Sequence, residues 1–465
     1  YSDPNYLEST EFSSYDEIVT TPSVELEEQA SDSTTTTENN SIFYPSASFG
    51  YKFTDLVNAD FLNFGKFRLS YGEVGIEASP YATSTTFGPG GTSSGWGDGL
   101  EGSLYGNPFT QSSTRGNPDL KEERKTEIEF GFDARMFDNR ITLGVTYYDN
   151  KTEGVILALP TVPSSGFSSS LQNAATVTNK GLEIDFKVDL LRGEDLNINL
   201  NGSFTQNKNI VTDLAGSSYF ILNGFTSTSS GIAEGYPFGV LRSGVYERDA
   251  AGNYVTNANG FPNAAAEKKV GVGDPNPDFR AGLGFNINYK NFNLSTMFET
   301  SQGNDVWNGT YGVLHYMGTH ANTGAKNVNN TGGTIVNAAG APVANGESFR
   351  GYIEDFGAGP VVVDSEWWTT NGGGFGDVGE PFIMDASWIK LREITLNYSF
   401  DTALIESLKI SSMNLSISGR NLFTWSEIDE FDPENNLTGA SRGRGLEYFS
   451  NPGTRSFITT LRIGF

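Results

Sequence analysis

The sequence predicts an all-β chain folded as a transmembrane antiparallel β-barrel, and three observations predict it. Strands alternate apolar and polar residues for about ten positions at a time, enough to cross a bilayer when tilted. Tight turns alternate with long polar connections. Glycine (55) and aromatic residues (33 Phe, 20 Tyr) are abundant, whereas no apolar run reaches the roughly eighteen residues that a membrane helix needs.

The hairpin Thr126 to Tyr148 carries the pattern most plainly. Ile128, Phe130, Phe132, Ala134 and Met136 share one face, and Glu127, Glu129, Asp133 and Arg135 the other. With Asp138-Asn139 as a two-residue turn, Met136 faces Ile141, Ala134 faces Leu143, Phe132 faces Val145 and Phe130 faces Tyr147. All the apolar residues then lie on one side. A barrel wall needs only every second residue apolar, so its mean hydropathy reads as polar.

Composition narrows the function classes. A formal charge of −26 argues against nucleic-acid binding, and the absence of cysteine excludes disulfides and thiolate metal sites. The chain begins at Tyr1 with neither Met nor a signal peptide and is read as a fragment. Residues 1–40 are polar and acidic without periodicity and are read as a loop or tail. Residues 41–465 are read as barrel with long outer loops.

Within that barrel, Phe43, Ala47, Phe49, Tyr51 and Phe53 alternate first, and Phe67, Leu69 and Tyr71 return. After the central hairpin, Leu182 to Leu190 pairs with Leu196 to Phe204 across Arg192-Gly193-Glu194-Asp195. Phe238 to Glu247 is a further candidate strand. Phe279 to Tyr289 turns at Lys290-Asn291 into Phe292 to Phe298, and Trp388 to Phe400, Met413 to Phe423 and Phe457 to Phe465 complete about twelve strands. The connections 72–118, 149–178, 208–237, 303–380 and 424–455 are read as loops that supply recognition.

Five segments resemble marks of the SusC/RagA group of TonB-dependent outer-membrane transporters. They are Asn117-Pro118-Asp119-Leu120-Lys121-Glu122-Glu123, Asn179-Lys180-Gly181-Leu182-Glu183, Gly273-Asp274-Pro275-Asn276-Pro277-Asp278-Phe279, Trp388-Ile389-Lys390-Leu391-Arg392-Glu393 and Ser418-Gly419-Arg420-Asn421-Leu422-Phe423. The likeness covers about Ser41 to Phe465 and leaves Tyr1 to Asn40 unmatched. It implies a barrel of about twenty-two strands holding an N-terminal plug, of which this chain is the C-terminal part. It also implies a SusD-like surface lipoprotein as lid, the TonB complex acting through a part of the chain not seen here, and import of a glycan fragment or oligopeptide across the bacterial outer membrane. A passive porin and a surface adhesin are the alternatives.

No enzyme, cofactor or metal is expected. His315 and His320, the two histidines, read as exposed loop residues. Asp274 to Asp278 lacks the glycine that a calcium loop needs at its sixth position, where Phe279 stands, and reads as a turn. Gly88 to Gly102 has no strand-to-helix setting for phosphate. Carboxylates such as Glu127, Glu129, Asp133, Glu183 and Asp185 belong to the polar lumen face. The residues expected to contact ligand or partner are Trp307, Tyr311, Tyr316, Trp367 and Trp368, whose rings stack on sugars or pack against another protein.

Overall fold

A computed structural model describes residues 23–30 and 41–465, apart from 55, 58, 91, 95–96, 101–103, 105, 226, 325, 371–375 and 440–442. Among the described residues twelve strands follow one antiparallel path: β1 (Ser23–Ala30), β2 (Ser41–Lys52), β3 (Leu62–Ile76), β4 (Glu123–Met136), β5 (Ile141–Pro160), β6 (Ser169–Arg192), β7 (Leu196–Asp213), β8 (Phe279–Tyr289), β9 (Phe292–Gln302), β10 (Trp388–Ser399), β11 (Ser412–Ser426) and β12 (Ser456–Gly464). Every strand pairs with its sequence neighbour, and β1 and β12 are the edges of the path. No described helix is long and apolar enough to cross a membrane.

The β4–β5 register is the one its alternation predicts: Met136 opposite Ile141, Ala134 opposite Leu143, Phe132 opposite Val145 and Phe130 opposite Tyr147. Asp138 and Asn139 both have positive φ (56° and 57°), and the Arg140 amide donates to the Phe137 carbonyl at 3.1 Å. This is the sign of φ that a type I′ hairpin turn requires, and Asp and Asn tolerate it. Arg192 of the next turn donates to the carbonyls of Asp138 and Asn139, both at 2.9 Å, and ties the tight ends together.

The two faces of the sheet differ as a barrel wall requires. Large apolar side chains stand exposed on one face, among them Phe67, Leu69, Phe130, Tyr147, Tyr289, Phe292, Leu396 and Ile417. In water such a patch is a liability, and against lipid it is the buried surface. Along β10, Ile389 to Tyr398 at about 3.3 Å per residue and a tilt near 40° covers roughly 23 Å of depth, the thickness of the apolar band. Rings mark both levels: Tyr398 contacts Phe292 at 4.7 Å near the turns, and Phe423 stacks with Trp425 at 5.9 Å near the loops. The opposite face is polar and cross-linked. Arg68 binds Asp133 (2.8 Å), Ser70 donates to Glu129 (3.1 Å), and a chain of side chains runs from Asn207 through Asn179 and Asn150 to Glu127.

The strands run further outward than the sequence reading placed them. β5 has 20 residues and β6 has 24, about twice what the bilayer needs, so most of the stretch 149–178 is strand and only 161–168 connects. The physical reason is a register shift between Thr152 and Val155, where Gly154 takes φ +69°. One extra residue reverses the sidedness of β5. Val155, Leu157 and Leu159 therefore turn to the inner face and pack with Val177, Val211, Leu214 and Ile232. The polar residues around this switch are what made the stretch read as loop. The region 208–237 is corrected in the same way, because β7 runs to Asp213 and a second sheet is built from Phe220–Gly224, Thr228–Ile232, Val240–Ser243 and Lys269–Gly273. The strand expected over Phe238 to Glu247 is confined to Val240–Ser243. Within the acidic stretch read as loop or tail, Ser23–Ala30 is a strand paired with β2, while 1–22 and 31–40 lie outside the described residues.

Candidate functional site: a cavity between the wall and an outer loop

The polar face of β7 to β10 is where chemistry gathers. β8 and β9 supply Arg280, Gly282, Met297, Glu299 and Ser301, β7 supplies Ser203 and Thr205, and Trp388 opens β10. Facing them is the outer connection between β11 and β12, with Pro433, Glu434, Asn435, Asn436, Gly439, Arg444 and Gly445. Together with Asn304 to Val306 they line a half-open cavity of about 780 Å³. That lies within the range of ligand pockets.

An ion network holds the loop to the wall. Lys390 is 2% exposed and its ammonium donates to Asp432 (2.5 Å) and Glu434 (2.6 Å). Arg392 donates to Glu299 (2.5 Å) and to the other oxygen of Glu434. Burial alone would raise the Glu434 carboxyl, but hydrogen bonds from Arg392 and Lys390 outweigh it and hold the group below its ordinary value. Two bulges make this arrangement possible. The register shifts between Met297 and Phe298 and between Leu391 and Glu393, so Lys390, Arg392 and Glu393 all serve the polar face although strict alternation would send one of them to lipid. Glu393 then receives Arg420 (2.9 Å) from β11, beside Asn421 at φ 51°. The fourth and fifth sequence marks are thus adjacent bulged strands.

Above the cavity an aromatic core fixes the outer loops. Trp307 and Trp367 are each 1% exposed and Trp368 is buried, with Tyr246, Phe261 and Phe382 around them. Trp367 meets Phe261 at 4.9 Å and Tyr246 at 5.9 Å. Burial raises the Tyr246 hydroxyl far above its usual pKa. Of the five residues expected to touch ligand or partner, the structure gathers Trp307, Tyr311, Trp367 and Trp368 in or against this core. Tyr316 ends the helix Gly309–Tyr316, half-buried. None of the five lines the cavity. The three indoles have packing as their visible role, which leaves Tyr311 and Tyr316 as partly exposed rings.

The sequence suggested two exposed loop histidines; His320 does lie in a loop, half-buried, but His315 does not. His315 sits in the helix, 1% exposed, with Nδ1 at 2.9 Å from the Tyr311 carbonyl. Its ring stacks on His320 at 4.3 Å and meets Trp368 at 4.7 Å. Burial, against the raising effect of the Tyr311 carbonyl and with a smaller push from neighbouring His320, lowers its pKa to about 4. Among the described residues no group of three or more His, Cys, Asp or Glu is placed to hold a metal ion. The Asp274 turn reads as expected: its Oδ1 accepts from the Asn276 amide (2.9 Å) and side chain (2.8 Å).

Sequence reasoning missed Arg280, Glu299, Asp432, Glu434 and Arg444 as one site. Lys390 and Arg392 within a strand, flanked by apolar residues, were the available signal.

The fold that carries this geometry is shared with known proteins. The chain is 25% identical over 460 residues to TonB-dependent receptor P3 of Formosa agariphila, covering 92% of this chain and 42% of that protein. It is 24% identical over 334 residues to TonB-dependent receptor SusC of Bacteroides thetaiotaomicron, covering 68% and 30%. Among solved structures, the RagAB peptide importer in its closed-closed state superposes with a TM-score of 0.67 at 19% identity, over 96% of this chain and 45% of that one. That likeness is one of fold. The chain spans less than half the length of these relatives. A model of the family described as TonB dependent receptor-like, beta-barrel, matches residues 11–340, starting upstream of Ser41, where the sequence resemblance begins. With well over half of its residues matched, the chain belongs to the TonB-dependent receptor β-barrel family of the outer membrane, a family of receptors and not of enzymes.

Proposed function

We propose that this chain is the C-terminal wall of an importer that captures a large nutrient, a glycan fragment or an oligopeptide, at the outer surface. Its energy comes from TonB, and a SusD-like lipoprotein closes over the outer loops. The observation that carries this reading is the cavity of about 780 Å³, which opens on the polar side of a lipid-facing wall and is roofed by an outer loop held by ion pairs. Relatives named SusC and RagAB support a two-component arrangement, and the long outer strands β5 and β6 give a partner a raised rim to sit on. Tyr311 and Tyr316, partly exposed on one helix, are the proposed ring contacts for ligand or partner.

Extraction of the full-length protein from outer membranes with mild detergent tests the proposal, together with growth on the nutrient in cells with and without TonB. A co-purifying lipoprotein and growth that depends on TonB are expected. Uptake that continues without TonB would overturn the reading in favour of a passive pore.

A further inference from the structure

The chain has 56 acidic residues against 30 Lys and Arg, so carboxylates are plentiful. Arg280 from β8 and Arg444 from the outer loop face the same cavity, and both are exposed. Arg68, Arg124, Arg192, Arg248, Arg392 and Arg420 are held in ion pairs. Among the described residues Arg280 and Arg444 have none, as is true also of Arg115, Arg140 and Arg350, but these two share one cavity, and Arg444 acts on Asp274 through space.

The negative groups of the lining are already engaged. Glu299 and Glu434 are taken up by Arg392 and Lys390, and Asp305 accepts from the Asp274 amide at 2.9 Å. Burial raises the Asp305 carboxyl, and the charge of Asp385 adds to the rise. What the cavity leaves unsatisfied is therefore positive: two guanidinium groups on opposite walls. Thr205 and Ser301 lie directly across from Arg280 on the flanking strands. A guanidinium fork matches the oxygens of a carboxylate or sulfate in two parallel hydrogen bonds, a fit that an uncharged hydroxyl does not offer.

We infer that the cavity between the wall and the outer loop takes an anionic group, a carboxylate or a sulfate ester carried on an oligomeric ligand, and that Arg280 and Arg444 grip it from two sides. The inference deepens the import reading by naming the charge of the cargo, and rests on that reading only for the biological role of the site.

Arginine-selective modification tests it directly. The full-length protein, with whatever co-purifies, is treated with phenylglyoxal, and adducts at Arg280 and Arg444 are read by peptide mass spectrometry. The probes are oligogalacturonate, sulfated dextran oligomers and uncharged maltooligosaccharide. Both arginines are expected to react in the bare protein, and one of the anionic oligomers is expected to slow the reaction about tenfold or more while the neutral one does not. The two anionic arms distinguish carboxylate from sulfate. Arg280→Gln is expected to remove the protection of Arg444. The inference is overturned if neither arginine reacts in the bare protein, because a carboxylate of the protein itself then occupies them, or if the anionic oligomers protect no better than the neutral one. Protection without TonB-dependent uptake would keep the site and reject the import reading.

Discussion

Replacing Lys390 by Met releases the outer loop that roofs the cavity. The Lys390 side chain is 2% exposed and bound to two carboxylates, whereas those carboxylates keep some access to water, Asp432 at 20% and Glu434 at 32%. Removing one partner of a buried ion pair costs about 3–5 kcal/mol. Glu434 retains Arg392 and Asp432 is reachable by water, which places the cost at the lower end, about 3 kcal/mol. At about 1.4 kcal/mol per decade this is roughly a hundredfold rise in the open population of the loop. The Leu437 amide reports it, since it donates to the Leu446 carbonyl at 2.7 Å and Leu446 is fully buried. Hydrogen exchange in the full-length protein is expected to quicken at Leu437 by about two decades while amides of β4 and β5 stay unchanged. Lys390→Arg is expected to recover part of the protection. Unchanged exchange at Leu437 would refute the assignment of the network as the loop's anchor.

Acid loosens the helix Gly309–Tyr316. The folded pKa of His315, about 4, lies below its ordinary 6.5, so the unfolded state binds more protons between those values. Its contribution, roughly 3 kcal/mol, is fully present above pH 6.5 and is lost as pH falls toward 4; exchange of the helix amides should rise over that window, and His315→Gln should flatten the dependence. Gly181→Ala places a Cβ 2.3 Å from the Tyr148 ring and 2.6 Å from the Gln206 carbonyl, and is expected to destabilise the wall by about 1–3 kcal/mol in a urea titration of the refolded barrel. Leu69→Arg, on the lipid face and 49% exposed, should cost about 2–4 kcal/mol in vesicles, whereas Ser70→Arg on the polar face should cost less than about 1.

The membrane-level wall was legible because its signal is local. Phe130 against Tyr147 and Leu283 against Phe298 follow from period two and a short turn, without knowledge of any distant contact. The same rule failed above the bilayer. Residues 149–178 read as loop because at Gly154 one inserted residue breaks the alternation and puts Val155 and Leu157 on the face opposite to Val145 and Tyr147, and a bulge is not announced by polarity. The site was less legible for a different reason. Arg280 and Arg444 are 164 positions apart in the chain and meet only through the folding of the last outer loop. Trp367 and Trp368 attracted attention as rings in a polar stretch, yet their helix buries them under Phe261 and Phe382. His315 misled in the same way, since a polar residue next to Tyr311 and Trp368 gives no sign in sequence that it will be enclosed.

Spin labels placed one at a time along β4, from Glu127 to Arg135, test the central claim that one face of this wall meets lipid. In the full-length protein reconstituted into bilayers, collision with oxygen is expected to peak at 128, 130 and 132, and collision with a water-soluble nickel chelate to be low there, with the opposite trend at 127, 129 and 133. Equal nickel access at both sets would contradict the account and describe a sheet that stands in water.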